Sequence, residues 1–132
     1  MKRLLIVLAV VIAGSVIVYG GLALFGRAFM RADAYPTFMA DYQANEPHSY
    51  EAANRAFSDF VARRFPIGSD ERDAIAQITN GGFQITTSTS ETVELFWKRH
   101  SGPCSEQYSV VIGKDPIGKI AKIVGQLRPI CL

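Results

Sequence analysis

The residues of this chain best suited to metal or redox chemistry are His100, Cys104 and Cys131. His100 precedes Cys104 by four positions, a spacing that zinc ligands can have, but no second ligand pair at metal spacing follows. We therefore expect His100 to lie in a loop and predict no metal site. Cys104 and Cys131 are expected to form a disulfide if the compartment is oxidising, and two reduced thiols in the cytoplasm are the alternative.

The remaining reactive side chains predict no catalytic centre. Asp70, Glu71 and Asp73 form an acidic cluster that fits the solvated first turn of a helix, where negative charge suits the helix dipole. The hydroxyl run Thr86–Ser90 has no partnering base nearby, and the chain has neither a glycine-rich phosphate loop nor a nucleophile elbow. We expect a protein that is not an enzyme and needs no cofactor.

The two cysteines bracket a predicted β-hairpin. Its strand-like segments, Gln107–Ile112 and Lys119–Leu127, flank Asp115–Gly118, whose Asp, Pro and Gly stand where a type I turn favours them. The cysteines are then two residues out of register, a mismatch that a bulge or loose strand ends could absorb. Their bond would close a loop of 28 residues, worth about 3–3.5 kcal/mol by chain-entropy scaling.

The amino-terminal region predicts where the protein resides. An uninterrupted apolar run, Leu4–Phe25, follows Lys2 and Arg3 and precedes Arg27 and Arg31. As a helix its 22 residues would span about 33 Å, enough for the ~30 Å hydrocarbon core of a bilayer. We predict a membrane anchor over residues 1–31, with the lipid bilayer as a partner through residues 4–25.

A cleaved signal peptide is the alternative to a retained anchor. Signal peptides have an apolar region of about 7–15 residues with a small-residue cleavage site close behind it. Here the run is longer, and the best such site, Ala32–Ala34, lies well beyond its end. Basic residues on both flanks give a slight preference for a cytoplasmic amino terminus. This predicts a single-pass protein of the inner (cytoplasmic) membrane with its carboxyl-terminal domain facing the periplasm or the cell exterior.

Charge and small residues suggest which partners to expect. Residues 32–132 carry 10 basic and 12 acidic side chains, so the domain lacks the positive surface that binds nucleic acid. Within the apolar run, Ala9 and Ala13 are four residues apart, and Gly14 and Gly21 are one heptad apart. Such spacings allow a homo-oligomer to form through the anchor.

Residues 49–132 have the pattern of a small α+β domain. Ser49 is expected to cap a helix with apolar residues at three- and four-residue spacing, and Ser69 a second, shorter helix that stops at Asn80. Three or four antiparallel strands follow. Before this domain, residues 32–48 are interpreted as a juxtamembrane linker, although its aromatic residues could equally dock on the domain.

Alternation along the strands assigns side chains to two faces of the sheet. The inner face, under the helices, is predicted to carry Phe83, Ile85, Val93, Leu95, Trp97, Tyr108, Val110, Ile112, Ala121, Ile123 and Leu127. The outer face should carry Thr86, Phe96, Lys98, Val111, Ile120, Lys122 and Val124. This outer face is less polar than a solvated one usually is. We predict a protein-docking patch formed by Phe96, Val111, Ile120, Lys122 and Val124; the chain's own residues 35–42 are an alternative occupant.

The element order resembles that of the small SmpA/OmlA (BamE-like) envelope domains. The likeness covers about residues 49–127 and rests on Phe65–Ser69 leading into a short helix that ends at Asn80–Phe83. It implies a non-catalytic domain that binds other proteins in the cell envelope. Members of that family are typically lipidated on an amino-terminal cysteine, which this chain lacks, so membrane and partner do not carry over.

Three functions fit these observations. We favour a membrane-anchored envelope interaction module or accessory subunit. The alternative is an inhibitor or immunity-type protein that binds one secreted enzyme or toxin in a tight one-to-one complex. A hydrolase or small-ligand binder would need a polar pocket that the sequence does not indicate.

Overall fold

The computed structural model of the protein describes residues 2–44 and 49–131, and the loop predicted at residues 45–48 lies outside them. The chain divides into two compact units, Met1–Arg31 and Ala32–Leu132. The first unit contains one long helix, α1 (Lys2–Phe29). Its segment Val10–Arg27 has a mean hydropathy of 1.8 and no buried residue, so α1 is long and apolar enough to cross a membrane.

The second unit, called the domain from here on, has α+β architecture. Its helices are α2 (Ala40–Ala44), which follows a 3-10 turn at Thr37–Met39, α3 (Tyr50–Arg64) and α4 (Glu71–Asn80). Its four strands, all antiparallel and adjacent in chain order, are β1 (Gln84–Ser88), β2 (Thr92–Ser101), β3 (Cys104–Lys114) and β4 (Ile120–Cys131). The described domain therefore has the predicted sheet and one short helix more than predicted.

Both predicted helices form, with one change of cap. The Ser49 hydroxyl accepts a hydrogen bond from the Ala52 amide at the start of α3, as expected. At α4 the cap is Asp70 rather than Ser69, because the Asp70 carboxylate accepts from the amides of Arg72 and Asp73. The Ser69 hydroxyl instead donates to the Pro66 carbonyl at 2.6 Å.

The β3–β4 hairpin contains a bulge near its tip, so its register differs from the predicted one. Cys104 pairs with Cys131, and the same register continues to Gly113, opposite Lys122. There it shifts, so that Lys114 lies opposite Ile120. The bulge accounts for one residue of the mismatch, and the turn accounts for the other, because the Asp115 amide donates to the Lys119 carbonyl and so centres the turn on Ile117. The bulge also turns Ile120 toward the core, where it is 1% exposed. The prediction that Ile120 lies on the outer face is therefore wrong.

The inner face of the sheet packs against the helices largely as predicted. Its residues join apolar side chains of α3 and α4 in one core. Gly125 of β4 lies directly under α3, since a Cβ there would be 2.9 Å from Val61 Cγ2 and 3.1 Å from Phe57 Cε1. Two predicted core residues are exposed instead: Ile85 on the edge strand β1, and Ala121 at the bulge.

Residues 32–44 pack on the domain instead of forming a linker. Tyr35, Met39 and Tyr42 are buried in the core. Phe38 has its ring centroid 5.8 Å from that of Phe83, and a Cβ on Gly81 would be only 2.5 Å from Phe38 Cε1. The alternative that the aromatic residues of this segment dock on the domain thus holds, but they pack into its core and not on the outer face of the sheet. The domain begins near residue 32.

Candidate functional site

The outer face of the sheet is not covered by the described helices of the domain. Phe96 of β2, Val111 of β3 and Val124 of β4 lie there, each half-buried, and Lys122 is exposed. Val111 pairs directly with Val124, and Phe96 pairs with Ser109, which lies two residues before Val111 in β3. Four of the five predicted patch residues therefore share this face, and the fifth, Ile120, lies in the core.

Polar side chains surround Phe96 on the same outer face of the sheet. A shallow depression of about 200 Å³ is lined by Glu94, Phe96, Gln107, Ser109, Gln126 and Arg128. Here one aromatic ring lies among amides, a hydroxyl and charges of both signs. Such a surface can bind another protein through apolar contact at its centre and hydrogen bonds around it.

The strongest electrostatic feature of the domain lies on the opposite face and is buried. Arg99 of β2 is 8% exposed and Glu106 of β3 is 3% exposed, and the two residues are directly paired across the strands. Arg99 Nη1 donates to Glu106 Oε2 at 2.9 Å. The same Nη1 donates to Tyr35 Oη at 2.7 Å, and the guanidinium lies 3.9 Å from the centre of the Tyr35 ring.

Two tyrosines close this arrangement into a ring of hydrogen bonds. Tyr108 Oη donates to Glu106 Oε2 at 2.9 Å. Because Tyr108 has only one hydroxyl proton, Tyr35 must be the donor in the 3.0 Å contact between the two hydroxyls. Burial raises the pKa of Tyr108 far above its ordinary value, so the phenol stays protonated.

This buried cluster holds the segment of residues 32–44, which precedes α3, to the sheet. Arg99 Nε donates to the Asp33 carbonyl at 2.8 Å. The Asp33 amide donates to the His100 carbonyl, and the His100 amide donates to Asp33 Oδ2, both at 2.9 Å. The charged groups of Arg99 and Glu106 are hydrogen-bonded to each other and to Tyr35 and Tyr108. The cluster therefore has a structural role, which is to hold this segment in place.

Sequence reasoning missed Arg99 and Glu106, although a signal was present. Gly102 and Pro103 are turn-forming residues, and Gly102 has a φ of 61°. A two-residue turn at this position places residue 99 opposite residue 106, on the side of the strands that also carries Trp97 and Tyr108. The predicted strands stopped short of this turn.

The other predicted sites have structural roles. His100 lies in β2 opposite Ser105, not in a loop. Asp70 caps α4, and its Oδ2 lies 3.4 Å from Lys119 Nζ. Cys104 and Cys131 form the predicted disulfide, with their Cα atoms 4.2 Å apart. Within residues 2–44 and 49–131, no group of three or more His, Cys, Asp or Glu side chains could hold a metal ion.

A second concave surface lies beside α2 and α3. It has a volume of about 360 Å³ and is lined by Asp41, Tyr42, Ala56, Phe60, Arg63 and Arg64. The Arg64 guanidinium bonds Gln77 Oε1 at 3.3 Å. No nucleophile paired with a base lines it.

Comparisons with protein families, with curated proteins and with solved structures found no match to this chain.

Proposed function

We propose that this chain is a single-pass membrane protein whose domain binds other proteins outside the cytoplasm and catalyses no reaction. The observation that carries the proposal is the uncovered outer face of the sheet, with Phe96, Val111 and Val124 at its centre. The buried side chains of Arg99, Glu106 and Tyr108, by contrast, are hydrogen-bonded to one another inside the domain. This division supports the proposed role of an envelope interaction module or accessory subunit.

Two features support the membrane and compartment. Helix α1 is apolar over more than the thickness of a bilayer core, and Cys104 is bonded to Cys131 within the domain. Disulfides persist in oxidising compartments and are rare in the cytoplasm. The apolar helix and the disulfide, together with the basic residues that slightly favour a cytoplasmic amino terminus, support the inner membrane as the location and a domain on its periplasmic or external side.

Thiol labelling on intact cells tests this topology. A membrane-impermeant maleimide should label Cys104 and Cys131 only after reduction. Labelling without reduction, and only after the cells are lysed, would place free thiols in the cytoplasm and contradict the proposed compartment.

Site-specific photocrosslinking tests the binding surface. A photoreactive amino acid at Ser109, beside Phe96, should give adducts of defined mass, and F96E should abolish them while unfolding at the same urea concentration as the parent. The matched control carries the photoreactive residue at the exposed Gln77 of α4. Equal adducts from both positions, or unfolding caused by F96E, would contradict a docking role for this face.

A further inference from the structure

The outer face of the sheet differs in charge from the rest of the domain. Its strands carry one acidic and three basic side chains there, which are Glu94, Lys98, Lys122 and Arg128. Seven of the 10 basic and eleven of the 12 acidic side chains of residues 32–132 therefore lie elsewhere. A domain of net negative charge thus has one face of net positive charge, and such a face attracts a partner of the opposite sign.

The basic side chains lie on both sides of the apolar centre of this face, which is formed by Phe96, Val111 and Val124. On one side, Lys98 and Arg128 stand in the same row across three neighbouring strands, so their Cα atoms are about 10 Å apart. On the other side, Lys122 follows the apolar centre. It lies six residues from Arg128 along β4 and points to the same face, at a distance of about 20 Å.

The three basic side chains are available to a partner. All three are exposed. In the part of the chain that the structure describes, no hydrogen bond or ion pair engages the ammonium group of Lys98 or Lys122 or the guanidinium of Arg128. Like charges on one face repel each other, so carboxylates brought between them by a partner relieve that repulsion.

The depression beside Phe96 indicates the shape of the partner. Its volume of about 200 Å³ is below the about 300–1,000 Å³ of typical small-molecule sites, so it suits one protruding side chain of a protein. Phe96 supplies an aromatic surface there, and Arg128 lines the same depression. A bilayer is bound by apolar side chains that project from a protein, whereas Phe96 is half-buried and lines a concave surface. The shape therefore favours a protein over a lipid surface.

We propose that the occupant of this face is another protein with an acidic surface, from which one apolar or aromatic side chain enters the depression and contacts Phe96. Carboxylates of that protein pair with Lys98 and Arg128 on one side of the apolar centre and with Lys122 on the other. Charges across an interface govern association rate and specificity more than affinity, so the apolar contact holds the complex and the charges select the partner. This inference rests on the proposed function and adds the chemistry of the partner.

Charge reversal tests the acidity of the partner. K98E/R128E replaces two positive charges of the face by two negative ones, and should lower the yield of adducts from a photoreactive residue at Ser109 by about tenfold or more. The matched control, R63E/R72E, makes the same change of charge at exposed positions of α3 and α4 and should leave the yield nearly unchanged. K98Q/R128Q removes the charges without reversing them, and should lose less than K98E/R128E.

The identity of the crosslinked segment gives a second readout. Mass spectrometry of the adducts should place the crosslink in a segment of another protein that contains more Asp and Glu than Lys and Arg. A basic segment would overturn the inference. Adducts to lipid, or adducts of twice the mass of this chain, would overturn the choice of another protein as the occupant.

The variants separate this inference from the docking role on which it rests. If F96E abolishes the adducts but K98E/R128E retains them, the face still docks a protein and the acidic partner is wrong. Equal losses in K98E/R128E and its control would assign the effect to the net charge of the domain and overturn the inference as well. Each variant is compared with the parent in urea unfolding. If K98E/R128E unfolds more easily, K122E on the other side of the apolar centre repeats the test.

Discussion

The two ends of the β-sheet are held together by different kinds of bond. At one end, called the clasp end, the Cys104–Cys131 disulfide and the Arg99–Glu106 ion pair join three strands through side chains. At the other, called the turn end, main-chain hydrogen bonds join two tight turns. Both turns contain the sequence Pro-Ile-Gly, at residues 66–68 and 116–118.

The turn end exposes its apolar side chains. Ile67 is 73% and Ile117 79% exposed, while Gly68 and Gly118 have φ values of 86° and 79°. The Gly68 amide donates to the carbonyl of Ile120, just after the second turn, at 2.8 Å, and the amide of Glu71, at the start of α4, donates to the Gly118 carbonyl at 3.1 Å. Stability at the clasp end therefore depends on particular side-chain atoms, and at the turn end on backbone conformation.

The largest expected loss comes from breaking the buried ion pair. E106L leaves the Arg99 charge buried without its partner, which we expect to lower the free energy of unfolding by about 3–5 kcal/mol. R99M/E106L removes both charges and should recover most of that loss, because Tyr35 and Tyr108 can still bond each other. Urea unfolding measures both, and an equal loss in the two variants would contradict a loss caused by the unpaired charge.

The second effect comes from the disulfide. C104S/C131S should lower the free energy of unfolding by about 3 kcal/mol, since the closed loop no longer restricts the unfolded chain. Reduction of the parent should give the same loss. If a reductant leaves the parent's urea midpoint unchanged, the clasp end does not depend on this bond.

A smaller loss is expected at the turn end. G118A places a side chain in the left-handed backbone region at a cost of about 1–2 kcal/mol, although a Cβ there would meet nothing within 4 Å. G118N, which tolerates this conformation better, should lose less. Equal thermal stability of G118A and the parent would show that the turn end does not depend on this glycine.

The smallest effect is a pH dependence at the turn end. The Asp73 amide, followed by the Arg72 amide and Lys119, holds the pKa of Asp70 below its ordinary value of 3.8. A lowered folded pKa stabilises the domain above pH 3.8 and loses that contribution as the pH falls below it. D70N should therefore unfold slightly more easily than the parent at pH 7, with the difference closing toward pH 3. A difference independent of pH would contradict this charge effect.

Local patterns were sufficient to predict α3, α4 and the β3–β4 hairpin with its cysteines. Ser49, the apolar spacing that follows it, and the Asp115–Gly118 turn each act within a few residues. Ile120 could not be assigned correctly by alternation, because the bulge opposite Lys114 exchanges the faces of the strand.

The segment of residues 32–44 and the buried ion pair were harder to predict because their contacts are distant in sequence. Tyr35 is hydrogen-bonded to Tyr108, which is 73 positions away in the sequence, and to Arg99, which is 64 positions away. No residue within the segment indicates these partners. The outer-face residues Phe96, Val111, Lys122 and Val124 were found because strand alternation is local, and their role in binding stays a prediction.

Tyr35 is buried in the domain although it lies only a few residues after the end of α1, and this has a consequence for proteolytic release of the domain. Helix α1 ends at Phe29, and Asp33 is hydrogen-bonded to His100 of β2. In the proposed topology, a protease that cuts between Phe29 and Asp33 would release a folded domain from the membrane. A cut after α2 would instead remove Tyr35, Met39 and Tyr42 from the core and leave an unstable fragment. In the proposed topology, a single cut within residues 30–32 would therefore convert the anchored protein into a released domain with its core intact.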